Sequence, residues 1–311
     1  MRIIKVRCLV PVRLDKYLMD QFPTLGTGRL NKALRENKIK LNGKKQPLST
    51  RVQNGDEIRL FILDEVLDGA DGKGTVTGAR APAQVVYEDE QLLIVNKPAG
   101  LPTQGPSDED NLESRVALTM AQNGQKGQAP QLCHRLDTGT SGLVVLAKTA
   151  EAEALMGALI REHRVRKQYL CVTFGRPKPE ADVLQGYLVK DADKGMVYIE
   201  SKNLPGSRPV RTEYKTIAVS GRMALLQVEL VTGRTHQIRA HMASIGCPIL
   251  GDSKYGNNAA NRELKLKYQA LCAYQLTFPD LTGTVLEGMS GKVLHCEKPW
   301  YYGQILDGTL K

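Results

Sequence analysis

Residues 133–148 read Cys133-His134-Arg135-Leu136-Asp137-Thr138-Gly139-Thr140-Ser141-Gly142-Leu143-Val144-Val145-Leu146-Ala147-Lys148. A polar, glycine-bearing loop runs straight into the apolar stretch Gly142–Ala147, which has the length of a buried strand. Asp137 therefore sits where a rigid sheet edge can hold a reactive carboxylate and still expose it. Read alone, Asp137-Thr138-Gly139 is equally a turn whose carboxylate bonds its own backbone, so the surroundings must decide.

Outward from this segment, Gln91–Asn96 reads as a second buried strand and Leu112–Gln122 as a helix. Thr149 can cap a helix with Glu151 and Glu153 in its first turn. That helix turns Ala152, Leu155, Met156, Leu159 and Ile160 inward. Gln168–Phe174 and Met223–Val231 read as further strands, the latter ending at Thr232-Gly233-Arg234. His236–Ile245 reads as a helix closed by Gly246. Helices inserted at irregular intervals, without a βαβ repeat, predict an α+β fold with a mixed, mainly antiparallel sheet over residues 85–311.

Residues 1–62 form a second pattern. Arg13–Met19 has the spacing of a short helix, with Leu14, Leu18 and Met19 inward. Gly28–Asn37 has that of another, with Leu30, Ala33 and Leu34 inward and Arg29, Lys32 and Arg35 outward. A strand from Ile39 runs into the tight-turn pair Asn42-Gly43, and Asn54–Ile62 reads as a turn and closing strand. Residues 63–84, with Gly69, Gly72, Gly74 and Gly78, read as a flexible linker that makes the first segment a tethered arm. Two domains are also what 311 residues predict.

The net charge is +10, and residues 1–62 alone hold 14 Lys+Arg against 5 Asp+Glu. Basic charge so concentrated suits a phosphate-backbone partner, and equally a solvated face. No apolar run approaches the roughly 18 residues of a membrane span. The N-terminal residues lack the apolar centre of a signal peptide. The six cysteines, scattered without a C-x-x-C pair, suit a reducing compartment. The expectation is a cytoplasmic protein.

Asp-Thr-Gly also occurs in aspartic proteases, whose chemistry needs two carboxylates sharing a proton. The only other candidate, Asp307-Gly308-Thr309, has the wrong order. The wider context points elsewhere. His134-Arg135-Leu136-Asp137 followed by Thr140-Ser141-Gly142-Leu143 resembles the hallmark of the RluA-type RNA pseudouridine synthases. Asn96-Lys97-Pro98-Ala99-Gly100-Leu101-Pro102, Lys167-Gln168-Tyr169-Leu170 and Gly233-Arg234-Thr235-His236-Gln237-Ile238-Arg239-Ala240-His241 fall in the order that family has. The resemblance spans about residues 85–300. Residues 1–62, with Leu41-Asn42-Gly43 and Gly55-Asp56-Glu57-Ile58, resemble the alpha-L (ribosomal protein S-four-type) RNA-binding module.

The resemblance implies an isomerase that turns uridine into pseudouridine. The base–ribose bond breaks at nitrogen, the uracil turns, and it rejoins through carbon. The sugar carbon becomes electron-poor, as in glycoside hydrolysis, where a carboxylate stabilises or captures it. Asp137 is implied as that carboxylate. Arg234 is expected to clamp it, with a phosphate contact as the other reading of this arginine. Tyr169 is implied beside the base, either removing the proton from carbon or stacking on uracil; a core tyrosine is the alternative. Arg135 is expected to fill the space vacated by the flipped uridine. Arg29, Lys32, Arg35 and Lys38 are expected on the RNA backbone.

His236 and His241 are about 140° apart on a helix and no Cys or carboxylate spacing completes a metal site, so no metal is expected. The reaction is redox-neutral and ligation-free, so no cofactor is expected. Among the partners, ribosomal RNA of the large subunit is the first expectation and transfer RNA the alternative. A non-catalytic RNA-binding or ribosome-assembly protein is the rival reading. No membrane partner and a monomer complete the expectation.

Overall fold

The computed structural model describes residues 2–8, 10–22, 25, 27–62, 78–106, 109–125 and 129–310. The chain divides into two units, residues 1–77 with 105–109 and residues 78–104 with 110–311.

In the first unit, β1 (Arg2–Lys5), β2 (Val12–Arg13), α1 (Leu14–Gln21), α2 (Thr27–Arg35), β3 (Ile39–Leu41), β4 (Arg51–Val52) and β5 (Glu57–Leu60) follow one another. β1, β5 and β3 form one small antiparallel sheet, and β2 pairs with β4. Asn42 and Gly43 both have positive φ, 49° and 78°, as the two-residue turn between tightly paired strands requires. Leu14, Leu18, Leu30 and Ala33 pack against Ile39, Ile58 and Leu60 in one core.

The second unit contains β6 (Gln84–Glu88), β7 (Leu92–Lys97), α3 (Leu112–Gln122), β8 (Gln131–Leu132), β9 (Ser141–Ala147) and α4 (Ala150–Arg161). There follow β10 (Arg166–Phe174), β11 (Ala181–Asp191), β12 (Met196–Glu200), β13 (Arg208–Ser220), β14 (Met223–Leu230) and α5 (Gln237–Ser244). α6 (Asn258–Glu263), β15 (Leu271–Thr277), β16 (Val293–His295) and α7 (Trp300–Leu306) complete it. The strands form one 11-stranded sheet in the order β12-β11-β13-β14-β10-β15-β9-β7-β6, with β16 beside β15 and β8 beside β9. Its pairings are antiparallel except β15 with β9, so the fold is mixed α/β on a mainly antiparallel sheet.

Strand parity sends alternate residues to opposite faces, and in β7, β9 and β10 both faces are buried. Leu92, Ile94, Leu143, Val145, Leu170 and Val172 pack beneath α4 and α7. Leu93, Val95, Val144, Leu146, Tyr169 and Cys171 face the other way, toward α3 and α5. Thr149 caps α4 by accepting from the Ala152 amide at 3.2 Å. Where β9 crosses closest to β15, Gly142 has φ 112°, and a β-carbon there would stand 2.3 Å from the Ala273 carbonyl oxygen. Only glycine fits that junction.

The linker expected over 63–84 lies outside the described residues as far as 77. Its last part is anchored rather than free. The Arg80 amide donates to Asp110 at 3.3 Å, and the Ala83 amide to Thr119 Oγ1 on α3 at 2.8 Å. Among the described residues no helix is long and apolar enough to cross a membrane.

Candidate active site

The loop of residues 133–140 is fixed from below by its partner loop after β7. Thr103 Oγ1 donates to the Leu136 carbonyl at 2.7 Å and accepts from the Leu136 amide at 3.2 Å. The Gly100 amide donates to the Thr138 carbonyl at 2.7 Å. Lys97 is fully buried, and its ammonium donates to the carbonyls of Leu101, Pro98 and Thr138 at 2.6, 3.2 and 3.2 Å. Burial pushes Lys97 down to about 7, with the charge of Asp137 opposing. From the other side Gln269 Nε2 donates to Thr140 Oγ1 at 3.0 Å. Two loops from different strands thus hold Asp137 with a set of bonds that leaves its carboxylate toward a cavity of about 730 Å³.

The guanidinium on Asp137 belongs to Arg239, not to Arg234. Arg239 Nη1 donates to Asp137 Oδ2 at 2.8 Å. Its Nε and Nη2 form a fork on Asp252 at 2.6 and 2.9 Å, the two-point geometry that suits arginine. Asp252 also accepts from the amides of Lys254 and Tyr255. Burial alone would raise the Asp252 carboxyl, but Arg239 and the two amides outweigh it and hold it below the usual range. Arg234 lies in the turn before α5, exposed at the cavity wall. Its backbone amide bonds Gln237 Oε1 at 3.1 Å. The reason is helical position. In α5 every residue from Gln237 to Met242 is buried, so an arginine there must meet carboxylates, whereas Arg234 precedes the helix and faces solvent.

His236 takes the left-handed conformation at the start of α5, φ 55°. Its Nδ1 lies 3.1 Å from the Tyr255 hydroxyl, which accepts the Val197 amide at 2.8 Å. Nε2 stands 3.8 Å from the same Asp137 Oδ2 that Arg239 holds. Asp137 Oδ1 has no hydrogen-bond partner among the described residues. One carboxylate oxygen is thus fixed and the other is available to a ligand.

Tyr169 lines the cavity from β10, at a register shift against β15 between Gln168 and Tyr169. Such irregularities re-aim side chains beside sites. Burial first, then the charge of Asp137, raises the phenol well above its ordinary value. Arg135 stands exposed at the cavity and reaches Gln104 Oε1 at 3.3 Å. Lys167 and Arg234 also line the wall. In the other unit, Lys32 and Arg35 lie in the last turn of α2, Lys32 reaching Glu109 at 3.5 Å, and Lys38 pairs with Glu36 at 2.7 Å. The Arg29 side chain lies outside the described residues.

The histidines are dispersed. His134 Nε2 accepts the Val145 amide at 3.2 Å, and His241 Nδ1 is bonded to Thr212 Oγ1 at 2.7 Å. Among the described residues no group of three or more His, Cys, Asp or Glu side chains is placed to hold a metal. Lys97 and Arg239 stand in the quoted motifs, and Asp252 and Tyr255 follow the last of them in the chain, yet sequence reasoning gave none of the four a role. An arginine between Ile238 and Ala240 in a helix of small and apolar residues was the available signal.

Comparison with known proteins shows the family of the chain. The profile of the RNA pseudouridylate synthase family matches residues 91–244. A Rickettsia typhi protein named ribosomal large subunit pseudouridine synthase C is 36% identical over 265 residues, 82% of this chain and 86% of that one. A Synechocystis protein described as an uncharacterized RNA pseudouridine synthase is 32% identical over 94% of this chain and 89% of its own. Among solved structures, human RNA pseudouridylate synthase domain containing 4 superposes with a TM-score of 0.59 at 26% identity, covering 72% of this chain and 92% of that one. The chain belongs to the RluA-type RNA pseudouridine synthases, isomerases that act on RNA.

Proposed function

We propose that this chain isomerises uridines of large-subunit ribosomal RNA, with Asp137 as the reacting carboxylate and residues 1–62 as an alpha-L module that engages the RNA. The observation that carries the assignment of Asp137 is the asymmetry of its carboxylate. Oδ2 is held by a buried arginine that a second carboxylate already orients, while Oδ1 has no hydrogen-bond partner among the described residues. A binding protein has no use for a carboxylate clamped in a basic RNA cavity; a reaction that leaves the sugar carbon electron-poor does.

Tyr169 contributes as a neutral phenol. Burial and Asp137 disfavour the phenolate, which favours stacking of its ring on uracil, with the hydroxyl as a donor, over a free-standing base. Arg135 occupies the place vacated by the flipped nucleotide. The large-subunit substrate is supported by the name of the Rickettsia relative, and the module by the basic second helix and the Asn42-Gly43 turn.

Tritium release from unmodified transcripts labelled at carbon 5 of uridine tests the substrate. Release from large-subunit ribosomal RNA is expected. Release from transfer RNA alone would move the substrate class to the alternative. Release from neither would contradict the proposal.

A further inference from the structure

Six cations line the cavity: Arg135, Lys167, Arg234, Arg239, Lys254 and Lys267, against the single carboxylate of Asp137. Arg239 is spent on Asp137 and Asp252. Lys167 is different. It is half-buried at the start of β10, and among the described residues no acceptor lies within hydrogen-bonding distance of its ammonium. The ammonium rests against the turn before α5, 3.8 Å from where a β-carbon on Gly233 would stand. The next residue of that turn, Arg234, is exposed, lines the same cavity and has no ion-pair partner among the described residues. The carboxylate on the adjoining strand position, Glu229, is already forked by Arg166 at 2.9 and 2.7 Å. A half-buried cation without a counter-charge is unfavourable unless an anion joins it.

We infer that Lys167 and Arg234 form a receptor for one phosphodiester of the substrate strand, beside the nucleotide that enters the cavity. Lys167 supplies a point charge from the wall, and Arg234 a planar fork from the exposed turn. Burial holds Lys167 below its ordinary value, a cost that an arriving phosphate relieves. The inference rests on the proposed reading of the cavity as the uridine site, and the test separates the two.

The experiment uses the full chain and uridine-containing RNA oligomers in which one phosphate at a time is replaced by a neutral methylphosphonate. Binding is measured for wild type, Arg234→Gln and Lys167→Gln/Arg234→Gln. We expect one position at which neutralisation weakens the wild type about tenfold and leaves the double variant unchanged. The salt dependence of binding should fall by about 0.7 in log–log slope for that lost contact. Lys167→Arg should restore part of the affinity. Arg234→Gln lies on an exposed turn and keeps the test valid if Lys167→Gln folds poorly, which thermal melting reports. If every position costs wild type and variants alike, or if the variants bind as wild type does, the receptor does not exist. Tritium release is read on the same oligomers. Release without any position-specific loss overturns the receptor alone. A position-specific loss without release upholds the receptor and counts against Asp137 chemistry in this cavity.

Discussion

Arg239 meets Asp252 before it meets Asp137. It forks Asp252 through Nε and Nη2, and only the remaining Nη1, 2.8 Å away, reaches Asp137. The fixed partner sets the direction of the guanidinium, so the arginine arrives at Asp137 pre-aimed. Lysine cannot serve both carboxylates in a plane. Arg239→Lys should therefore lower turnover on the order of a hundredfold, while Arg239→Met, which leaves buried Asp252 unpaired, should also cost about 3–5 kcal/mol of stability. Single-turnover rates and urea unfolding on the same variants check the two effects.

Lys97 gives a pH signature. Its folded value, about 7, lies below the 10.5 of the unfolded chain. Between those values the unfolded state binds the extra proton, so stability conferred through this residue rises with pH across roughly 7 to 10 and is flat above. Below about 7 the residue is charged in both states, and its burial cost is fully present. Compared with Lys97→Met, which lacks the titration, the wild type should gain on the order of 1–3 kcal/mol between pH 7 and 9. Paired urea titrations at the two pH values measure the gap. A constant gap would show that the three carbonyl acceptors keep Lys97 protonated throughout.

Tyr169 separates stacking from proton chemistry. If the ring stacks on uracil, Tyr169→Phe keeps RNA affinity within about threefold, and Tyr169→Leu loses about tenfold, the range expected for a lost base–aromatic stack. Equilibrium binding to an unmodified transcript decides it. Equal losses for both variants would put the weight on the hydroxyl instead.

Much of this was legible in the sequence because the decisive elements are locally determined. The run Gly142–Ala147 has the length of a buried strand, Thr149 can cap a helix, and Asn42-Gly43 is a strong two-residue turn signal. The Asp137 loop was found for the same reason, since its polarity changes sharply into that strand. β11 and β12 escaped because they lie at one end of the sheet and few of their residues are buried; in β13 the inward positions Val210, Thr212 and Tyr214 alternate with charged residues, but one of the three is a polar threonine, which blurs the apolar period. The partner of Asp137 escaped for a different reason. Arg234 and Arg239 stand five residues apart in one motif, and only the burial of α5 from Gln237 to Met242 distinguishes them. That burial depends on β12 and β13 packing against the helix, contacts distant in sequence. The roles of Lys97 and Asp252 likewise depend on loops meeting across the sheet.

The most direct test of the account is single-turnover tritium release by Asp137→Asn beside the wild type on large-subunit ribosomal RNA, with binding measured on the same preparations. Asparagine keeps the size of the side chain and can still accept from Arg239, but it lacks the carboxylate charge. The account predicts loss of release by at least about a thousandfold, with RNA affinity within a few-fold of wild type. Release at a rate near that of wild type would contradict it, and the reacting carboxylate would have to be sought elsewhere in the cavity.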